Sequence, residues 1–522
     1  MSRFGYIVSS VCCALVLGAS VFTVCAEFPD AMIEPKWYAT GVAFIFVGIV
    51  WAVVGMVRPS VVRFEQVWSG FEAACVVVCA LQAVMYLMQT TGLIVSYGRF
   101  SAGSFDNVAG LASCLGISLP IGMRWLMDGR RSKRLAVMVC KALCVMAIVV
   151  SESRTGLMCI AVWALLELPC RRGQKVIGGV AAMALFIVLA VFVKTDSSIG
   201  RWFIAGRTMD LIAGSPWLGH GSGGFDARYM DVQADWLAAN PGSRYAVLAD
   251  NVRHPLNEWL LLAVDYGVLG VCVAIGAVVL TVAYARRHPS ASSGTGLNVI
   301  ACAGVFSLFS YPLLYPFTWL LLMMAVVVVF GHALSHYARA LYVMLLIVLP
   351  VCGVGLCRNL ELALELREVQ GKAMLGLSER MMPRYERLYQ KLKGDARFLY
   401  NYAVEQYEAG RYRPALNTAR ECGSLVSCYD LCLLEGDIRS ALKDYGGADS
   451  CYNRAHWMVP SRFVPLYERF NVAIERGDTV SAHCLAGEIL AKPVKVRSLE
   501  TDEIIDDVGK RALGRADIMQ GE

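Results

Sequence analysis

Four arginines that lie close to long apolar stretches are the residues best suited to chemistry on a phosphorylated substrate. They are Arg154, Arg201, Arg207 and Arg253. A guanidinium group presents paired donors in a planar fork that matches phosphate oxygens. An arginine near apolar spans is costly unless it is paired or solvated, which makes such a site a functional candidate. We therefore expect these four side chains to bind phosphate groups of a substrate and to stabilise negative charge that develops there.

Transfer to an acceptor hydroxyl also needs a group that positions or deprotonates that hydroxyl. His254 is the first candidate for this base and Glu258 the second. The same run is typical of a helix start, with a proline in the first turn and an acid near the N-terminus. Asn107 and Asn257 are further candidates for the substrate region, and Asn107 is equally suited to cap the helix that follows it. No cluster of ligands with metal-like spacing occurs, so we expect neither a metal nor a cofactor.

The composition places these residues in a membrane protein. The chain has 522 residues, of which 57% are hydrophobic and 17% charged, and its mean hydropathy is +0.52. Soluble globular domains carry about 25% charged residues, and disordered chains have few of the aromatic residues that are plentiful here. A net charge of +6 is small for this length, and it gives no reason to expect binding to nucleic acid.

Apolar runs long enough to cross a hydrocarbon core, which takes about 20 residues in a helix, occur only before residue 358. The expected spans are 4–26, 37–57, 69–94, 107–127, 135–151, 155–170, 176–193, 259–284, 296–314, 316–334 and 337–357. The sequence thus predicts an all-α fold, with a polytopic bundle of about 11 transmembrane helices. A count of ten or twelve spans is also compatible with the sequence, because two pairs of closely spaced apolar runs can be merged or split.

The short loops between these spans orient the bundle, because cytoplasmic loops collect Lys and Arg. With Arg3 inside, the positively charged residues of alternate loops are Arg58 and Arg63, Arg130, Arg131, Lys133 and Arg134, Arg171, Arg172 and Lys175, Arg286 and Arg287, and Arg339. This predicts a cytoplasmic N-terminus and an external loop over 194–256. An odd number of spans also exports the C-terminal region. A loop of about 60 residues is too long for a mere connector and is expected to be functional.

A second soluble part follows the last span, and we divide the chain into a bundle at 1–357 and a helical domain at 358–522. Ala415, Ala448 and Ala482 recur at intervals of 33 and 34 residues. This period resembles tetratricopeptide repeats over about 395–495, although a generic helical domain is the simpler alternative. Stacked repeats share one core and leave a concave surface, which would suit a protein partner.

Four polar stretches on the external side together resemble the family of O-antigen ligases, O-antigen polymerases and related O-oligosaccharyltransferases. The matching elements are Gly103 to Asn107, Ser153 to Gly156, Gly200-Arg201 with Pro216 to Phe225, and Asn257 with Gly267 and Gly270. Each element is weak alone, but the four occur in the family's order on a bundle with one large external loop. One position departs from the family pattern. Leu256 stands where the family has its catalytic histidine, and His254 is the nearest histidine.

The resemblance implies a metal-independent glycosyltransferase of lipopolysaccharide biosynthesis in the bacterial inner membrane. It would take a saccharide from an undecaprenyl-pyrophosphate carrier on the periplasmic face and transfer it to an acceptor. Lipid A core is the first-ranked acceptor. Polymerisation of repeat units and O-linked transfer to a protein are the alternatives, and an exported repeat domain slightly favours a protein acceptor or partner.

Two functions without transfer chemistry are the remaining alternatives. A transporter or flippase for the same lipids predicts charged residues deep in several spans and an internal duplication of the bundle. The sequence shows mainly Lys141, Glu152 and Asp265, all near the ends of spans, and no evident duplication. A membrane-anchored scaffold whose working part is the repeat domain leaves the long external loop unexplained.

Overall fold

The computed structural model describes residues 3–58, 64–96, 102–128, 130–167, 177–178, 195–495 and 497–519. Their regular secondary structure is helical, with no β-strand among them. The predicted all-α class is confirmed. The chain divides into two compact units. We call them the membrane unit (Met1–Val193, Leu256–Trp259 and Cys272–Ala363) and the loop–repeat unit (Lys194–Pro255, Leu260–Val271 and Leu364–Glu522).

The helices that build the membrane unit follow the apolar runs of the sequence. They are α1 (Arg3–Phe22), α2 (Glu34–Val57), α3 (Phe64–Thr90), α4 (Val108–Ser118), α5 (Met123–Asp128), α6 (Arg131–Val150), α7 (Arg154–Glu167), the ends of α11 (Glu258–Arg287), α12 (Ala291–Ser307), α13 (Pro316–His336) and the first part of α14 (Ala338–Lys372). Among the described residues, five helices are long and apolar enough to cross a membrane. The expected span 176–193 lies outside the described residues, apart from residues 177–178.

Helices α2 and α14 meet along a row of glycines. Gly48 and Gly55 are seven residues apart, and a side chain at either position would overlap Leu349 or Tyr342 of α14. Gly41 makes the same approach to α14 one heptad earlier. Small residues let membrane helices come close together, since lipid tails offer no hydrophobic driving force between helices. The sequence of α2 thus determines which of its faces receives α14.

The loop–repeat unit contains shorter and more polar helices. They are α8 (Thr195–Gly214), α9 (Gly224–Ala239), α10 (Tyr245–Leu248), the middle of α11, the last part of α14, α15 (Ser378–Leu392), α16 (Ala396–Glu408), α17 (Tyr412–Gly423), α18 (Tyr429–Ala441), α19 (Tyr445–Met458), α20 (Val464–Glu475), α21 (Thr479–Ala491) and α22 (Leu499–Met519). Helices α16 to α21 form three successive hairpins over the range in which the sequence predicts repeats.

The three recurring alanines occupy the same register in the three hairpins. Ala415, Ala448 and Ala482 are each the fourth residue of the second helix of their hairpin, and all three are buried. Tyr452 lies one turn after Ala448 and fills the space beside Gly436 of the preceding helix, where any side chain would overlap it. The period seen in the sequence therefore marks the packing positions of a helical repeat.

The loop at residues 194–255 packs on the second hairpin through a shared apolar core. Phe225 and Tyr229 of α9 are buried in one cluster with Ala455 and Met458 of α19. The rings of Phe225 and Tyr229 are stacked, with 4.5 Å between their centroids. The sequence counts residues 194–256 with the bundle, whereas in the structure residues 194–255 share a compact unit with the repeats. The division of the chain into domains at 1–357 and 358–522 therefore stays a prediction.

Polar contacts surround that core. Arg454 of α19 donates from Nε to Asp231 at 2.9 Å and from Nη2 to the same carboxylate at 2.7 Å. It also forms an ion pair with Asp235. The amide of Gln233, a residue of α9 with no exposed surface, donates to the carbonyl oxygen of Met458 at 2.8 Å. A buried amide held by a backbone carbonyl fixes the register of the two helices, since losing this bond would leave a buried polar group unsatisfied.

A buried histidine in α19 makes the stability of this unit depend on pH. Burial lowers the pKa of His456 to about 3, and the charges of Lys492 and Arg469 add to this effect. The carboxylate of Glu488 lies 3.9 Å from its Nε2. Because the folded pKa lies below the unfolded value of about 6.5, the unfolded chain binds the proton more readily. The stabilisation is complete above about pH 6.5 and decreases as the pH falls, by about 2 kcal/mol at pH 5.

We expect His456→Gln to remove most of this pH dependence. Thermal unfolding of the full chain in detergent, followed at pH 7 and pH 5, measures it for both proteins. The same loss of stability in the variant and in the wild type would show that other groups are responsible.

Candidate functional site

The glycine-rich segment Pro216–Phe225 and the helix α11 interlock at a break in that helix. Gly267 has φ 65° and ψ −169°, a conformation that side-chain-bearing residues rarely adopt. Four backbone hydrogen bonds join the two segments, from His220 to Val264 (2.8 Å), Gly221 to Asp265 (2.9 Å), Val268 to Pro216 (2.8 Å) and Leu269 to Trp217 (3.3 Å). Two of the four elements that carry the family resemblance therefore form one structural feature.

Substitution of Gly267 by alanine is expected to disrupt this feature. The added methyl group would overlap the carbonyl of Trp217, and the backbone conformation adds strain. We expect a loss of about 2–4 kcal/mol of stability. Gly276→Ala in the same helix is the matched control, because no atom lies within 4 Å of its added methyl group. Thermal unfolding of both variants measures the difference, and equal stability of the two would contradict the assigned role of Gly267.

Arg253 and His254 lie within electrostatic range of a carboxylate that the sequence did not indicate. Asp226 keeps exposed surface, and partial desolvation raises the pKa of its carboxyl while the charges of Arg253 and His254 lower it. Asp226 is in the first turn of α9, and the carboxylate of Asp265 accepts the backbone N–H of Gly223 at 3.2 Å just before that helix. An arginine, an imidazole and a carboxylate therefore act on one another electrostatically next to the glycine-rich segment. This grouping is suited to binding an anion and moving a proton.

Two of the predicted phosphate-binding arginines lie on α8. Arg201 is exposed. The guanidinium of Arg207 instead lies over the ring of Trp236, 4.8 Å from its centroid, and also contacts Phe203. Arg207 forms an ion pair of 3.0 Å with Asp210 as well. These contacts give Arg207 a packing role, and its role in phosphate binding stays a prediction.

Arg154 begins α7 directly after a tight turn of the membrane unit. Ser153 accepts the N–H of Gly156 at 3.2 Å, as the capping residue of a helix does. A side chain at Gly156 would overlap Ile148 of α6. The serine and the glycine of this element therefore fix the turn, and Arg154 is half-buried at the start of the helix. Its proposed contact with phosphate is not tested by this geometry.

Asn107 joins a network of polar side chains that includes two tyrosines missed in the sequence. Its Oδ1 accepts the N–H of Gly110 at 2.9 Å, so it caps α4. Its amide also donates to the hydroxyl of Tyr311 at 3.0 Å. Tyr315 donates to Asp106 at 2.8 Å, and its ring packs edge-on against another residue of the same element. The repeated Tyr-Pro pairs between two apolar spans were the available signal for these tyrosines.

Asn257 and Glu258 hold the same connecting segment, which we call the tyrosine segment (residues 308–315). Asn257 donates to the carbonyl oxygen of Leu308 at 2.9 Å, and its Oδ1 accepts the N–H of Trp259. Glu258 accepts the N–H of Leu313 at 2.9 Å. Leu256, at the position of the family's histidine, has φ 57°, which is unusual for a leucine and typical of strained functional sites.

The predicted site residues fall into two groups. Asn107, Arg154, Asn257 and Glu258 belong to the membrane unit, and Arg201, Arg207, Arg253 and His254 to the loop–repeat unit. Within the part of the chain that the structure describes, no three His, Cys, Asp or Glu side chains are grouped as metal ligands. Independence from metal ions stays a prediction.

Comparison with known proteins identifies one domain of the chain. Residues 108–275 match the model of the O-antigen ligase family, which confirms the resemblance over that range. The match includes all predicted catalytic and phosphate-binding residues and begins one residue after Asn107. No curated protein matches the chain. Among solved structures, the crystal structure of the APC/C hetero-tetramer Cut9-Hcn1 covers 91% of this chain and 90% of its own, with 10% identity and a TM-score of 0.26, which is too low to bear on function.

Proposed function

We propose that this protein transfers a glycan from an undecaprenyl-pyrophosphate carrier to an acceptor hydroxyl at the periplasmic face of the inner membrane. The proposal starts from the match of residues 108–275 to the O-antigen ligase family. The observation that carries this proposal is the interlock of the glycine-rich segment with α11 inside the matched range, next to which Asp226 lies within electrostatic range of Arg253 and His254. Lipid A core is the acceptor we rank first.

The reaction we assign to this group is a displacement at the anomeric carbon of the glycan. The acceptor oxygen forms a bond to that carbon while the bond from the carbon to the pyrophosphate oxygen breaks. The pyrophosphate leaves with the electron pair, and its growing negative charge is stabilised by Arg201 and Arg253. The hydroxyl proton passes to the imidazole of His254, whose charge the carboxylate of Asp226 then offsets.

Two substitutions distinguish His254 from Glu258 as the catalytic base. His254→Ala is expected to lower transfer by about 10²–10⁴-fold, the usual contribution of a positioned base. Glu258→Gln is expected to change little, because a glutamine oxygen still accepts the N–H of Leu313. Transfer assays on membranes containing equal amounts of each variant decide the point. Full activity of His254→Ala together with loss in Glu258→Gln would move the base role to Glu258.

We further propose that the repeats lie on the same side of the membrane as the loop. Asp231 of the loop and Arg454 of the repeats form a direct ion pair of 2.7 Å, which needs both partners on one side. The packing of Phe225 and Tyr229 with α19 supports the same arrangement. On this proposal the second hairpin positions the loop that carries Arg201 and Arg253.

The acceptor is tested by the glycoconjugate that a deletion strain loses. Loss of O-antigen from lipopolysaccharide with free lipid A core remaining supports the ligase. Loss of long chains alone favours the polymerase, and loss of glycoproteins favours a protein O-oligosaccharyltransferase. An unchanged set of all three would contradict glycan transfer altogether.

A further inference from the structure

A large apolar cavity, about half open to its surroundings, lies in the membrane unit among α1, α2, α3, α13 and α14. Its volume is about 980 Å³. Its wall includes Val16, Trp51, Phe71, Val327 and Leu349, and most of its other lining residues are equally apolar. None of these residues belongs to the group that we assign to glycan transfer.

A cavity of this size is not expected to stay empty in a membrane. Protein interiors are packed as densely as organic crystals, and an unfilled void loses the contacts of every atom that lines it. Water does not fill it, because a buried water needs two or more polar partners, and the wall around Trp51 and Phe71 is apolar. The volume is in the range of small-molecule sites, about 300–1,000 Å³. In a membrane, the molecule available to occupy this cavity is a lipid, whose hydrocarbon chain matches the apolar wall.

One end of the cavity is polar and positively charged. Ser335, His336 and Tyr337 line it where α13 ends, and Arg339 lines it where α14 begins. The described lining contains no aspartate or glutamate. The connection between α13 and α14 is one of the short basic loops predicted to be cytoplasmic. Basic pockets between transmembrane helices on that side are typical sites for anionic lipid headgroups.

We propose that this cavity binds one anionic phospholipid. An acyl chain lies along the apolar wall beside Val327, and the phosphate lies at Arg339. The lipid fills the space next to the glycine row through which Gly48 and Gly55 approach Leu349 and Tyr342. It thereby stabilises the position of α14, the helix whose chain continues from the bundle into the repeats.

Native mass spectrometry of the full-length protein tests the proposal. The protein is released from nanodiscs that contain either phosphatidylglycerol or phosphatidylcholine, and the retained lipids are counted. We expect one retained phosphatidylglycerol per chain and little phosphatidylcholine. Val327→Trp, which fills the apolar part with a larger side chain, is expected to abolish retention. Arg339→Gln is expected to lower it about fivefold.

Arg287→Gln is the matched control, because Arg287 ends α11 among the basic residues of another short loop and does not line the cavity. Equal retention of the two lipids, retention in Val327→Trp, or retention of added undecaprenyl phosphate in place of phosphatidylglycerol would each overturn the proposal. If Val327→Trp fails to fold, Arg339→Gln and the comparison of the two lipids decide the result alone. None of these measurements depends on glycan transfer, so the proposed function is tested separately.

Discussion

Arg201→Ala and Arg253→Ala are each expected to reduce glycan transfer by about 10²–10³-fold while the protein still inserts into the membrane. Both side chains are exposed in the structure. A loss of activity at an unchanged amount of protein in the membrane therefore reports on the reaction and not on insertion. We expect a large effect because the leaving pyrophosphate gains negative charge in the transition state. Each guanidinium therefore stabilises the transition state more than the bound substrate.

Two further variants sharpen this prediction. Arg228→Ala is the matched control, since Arg228 is an exposed arginine of the same loop with no assigned role. It is expected to keep full activity. Lysine at position 201 or 253 is expected to restore only part of the activity, because a lysine provides the charge but not the planar pair of donors. Unchanged surface glycan in Arg201→Ala or Arg253→Ala would disprove the assigned role for that arginine.

Reversal of the charge at Arg454 is expected to be the second large effect, at least tenfold on transfer. Arg454→Asp places a third carboxylate beside Asp231 and Asp235 in the contact between the loop and the second hairpin. The ion pairs are partly exposed, so we expect the docking to weaken by about 1–3 kcal/mol and not more. The loop should then be cut faster by protease, and the KM for the lipid-linked donor should rise. Arg413→Asp, at an exposed arginine of the first hairpin, is the control.

Rescue and cross-linking distinguish docking from a general loss of stability. Adding Asp231→Arg and Asp235→Arg to Arg454→Asp restores opposite charges and is expected to recover most of the activity. Independently, Arg454→Lys treated with a carbodiimide should give an amide cross-link from position 454 to Asp231 or Asp235. This cross-link forms whether or not the protein transfers glycans. Its absence would disprove the docking, whereas a cross-link together with full activity of Arg454→Asp would disprove the positioning role.

The sequence alone determined the features that rest on periodicity and composition. Long apolar runs predicted the described membrane helices, because burial of a helix in lipid requires an apolar stretch of fixed length. The intervals between Ala415, Ala448 and Ala482 predicted the repeat, because each hairpin needs a small residue at the same packing position. The order of short polar elements was sufficient for the family resemblance, which the match over 108–275 confirms.

Only the tertiary structure decided which distant residues meet. The tyrosine segment is about 200 residues from Asn107 in the chain, and no local pattern indicates that the amide of Asn107 donates to the hydroxyl of Tyr311. The contact of Asp231 with Arg454 joins residues 223 positions apart. In the sequence Gly267 is only one position of a family motif, whereas the structure gives it a positive φ that breaks the helix. Contacts between residues this far apart in the chain depend on the sum of many small packing energies, and a single sequence does not show that sum. In this protein these contacts determine where the reactive groups lie.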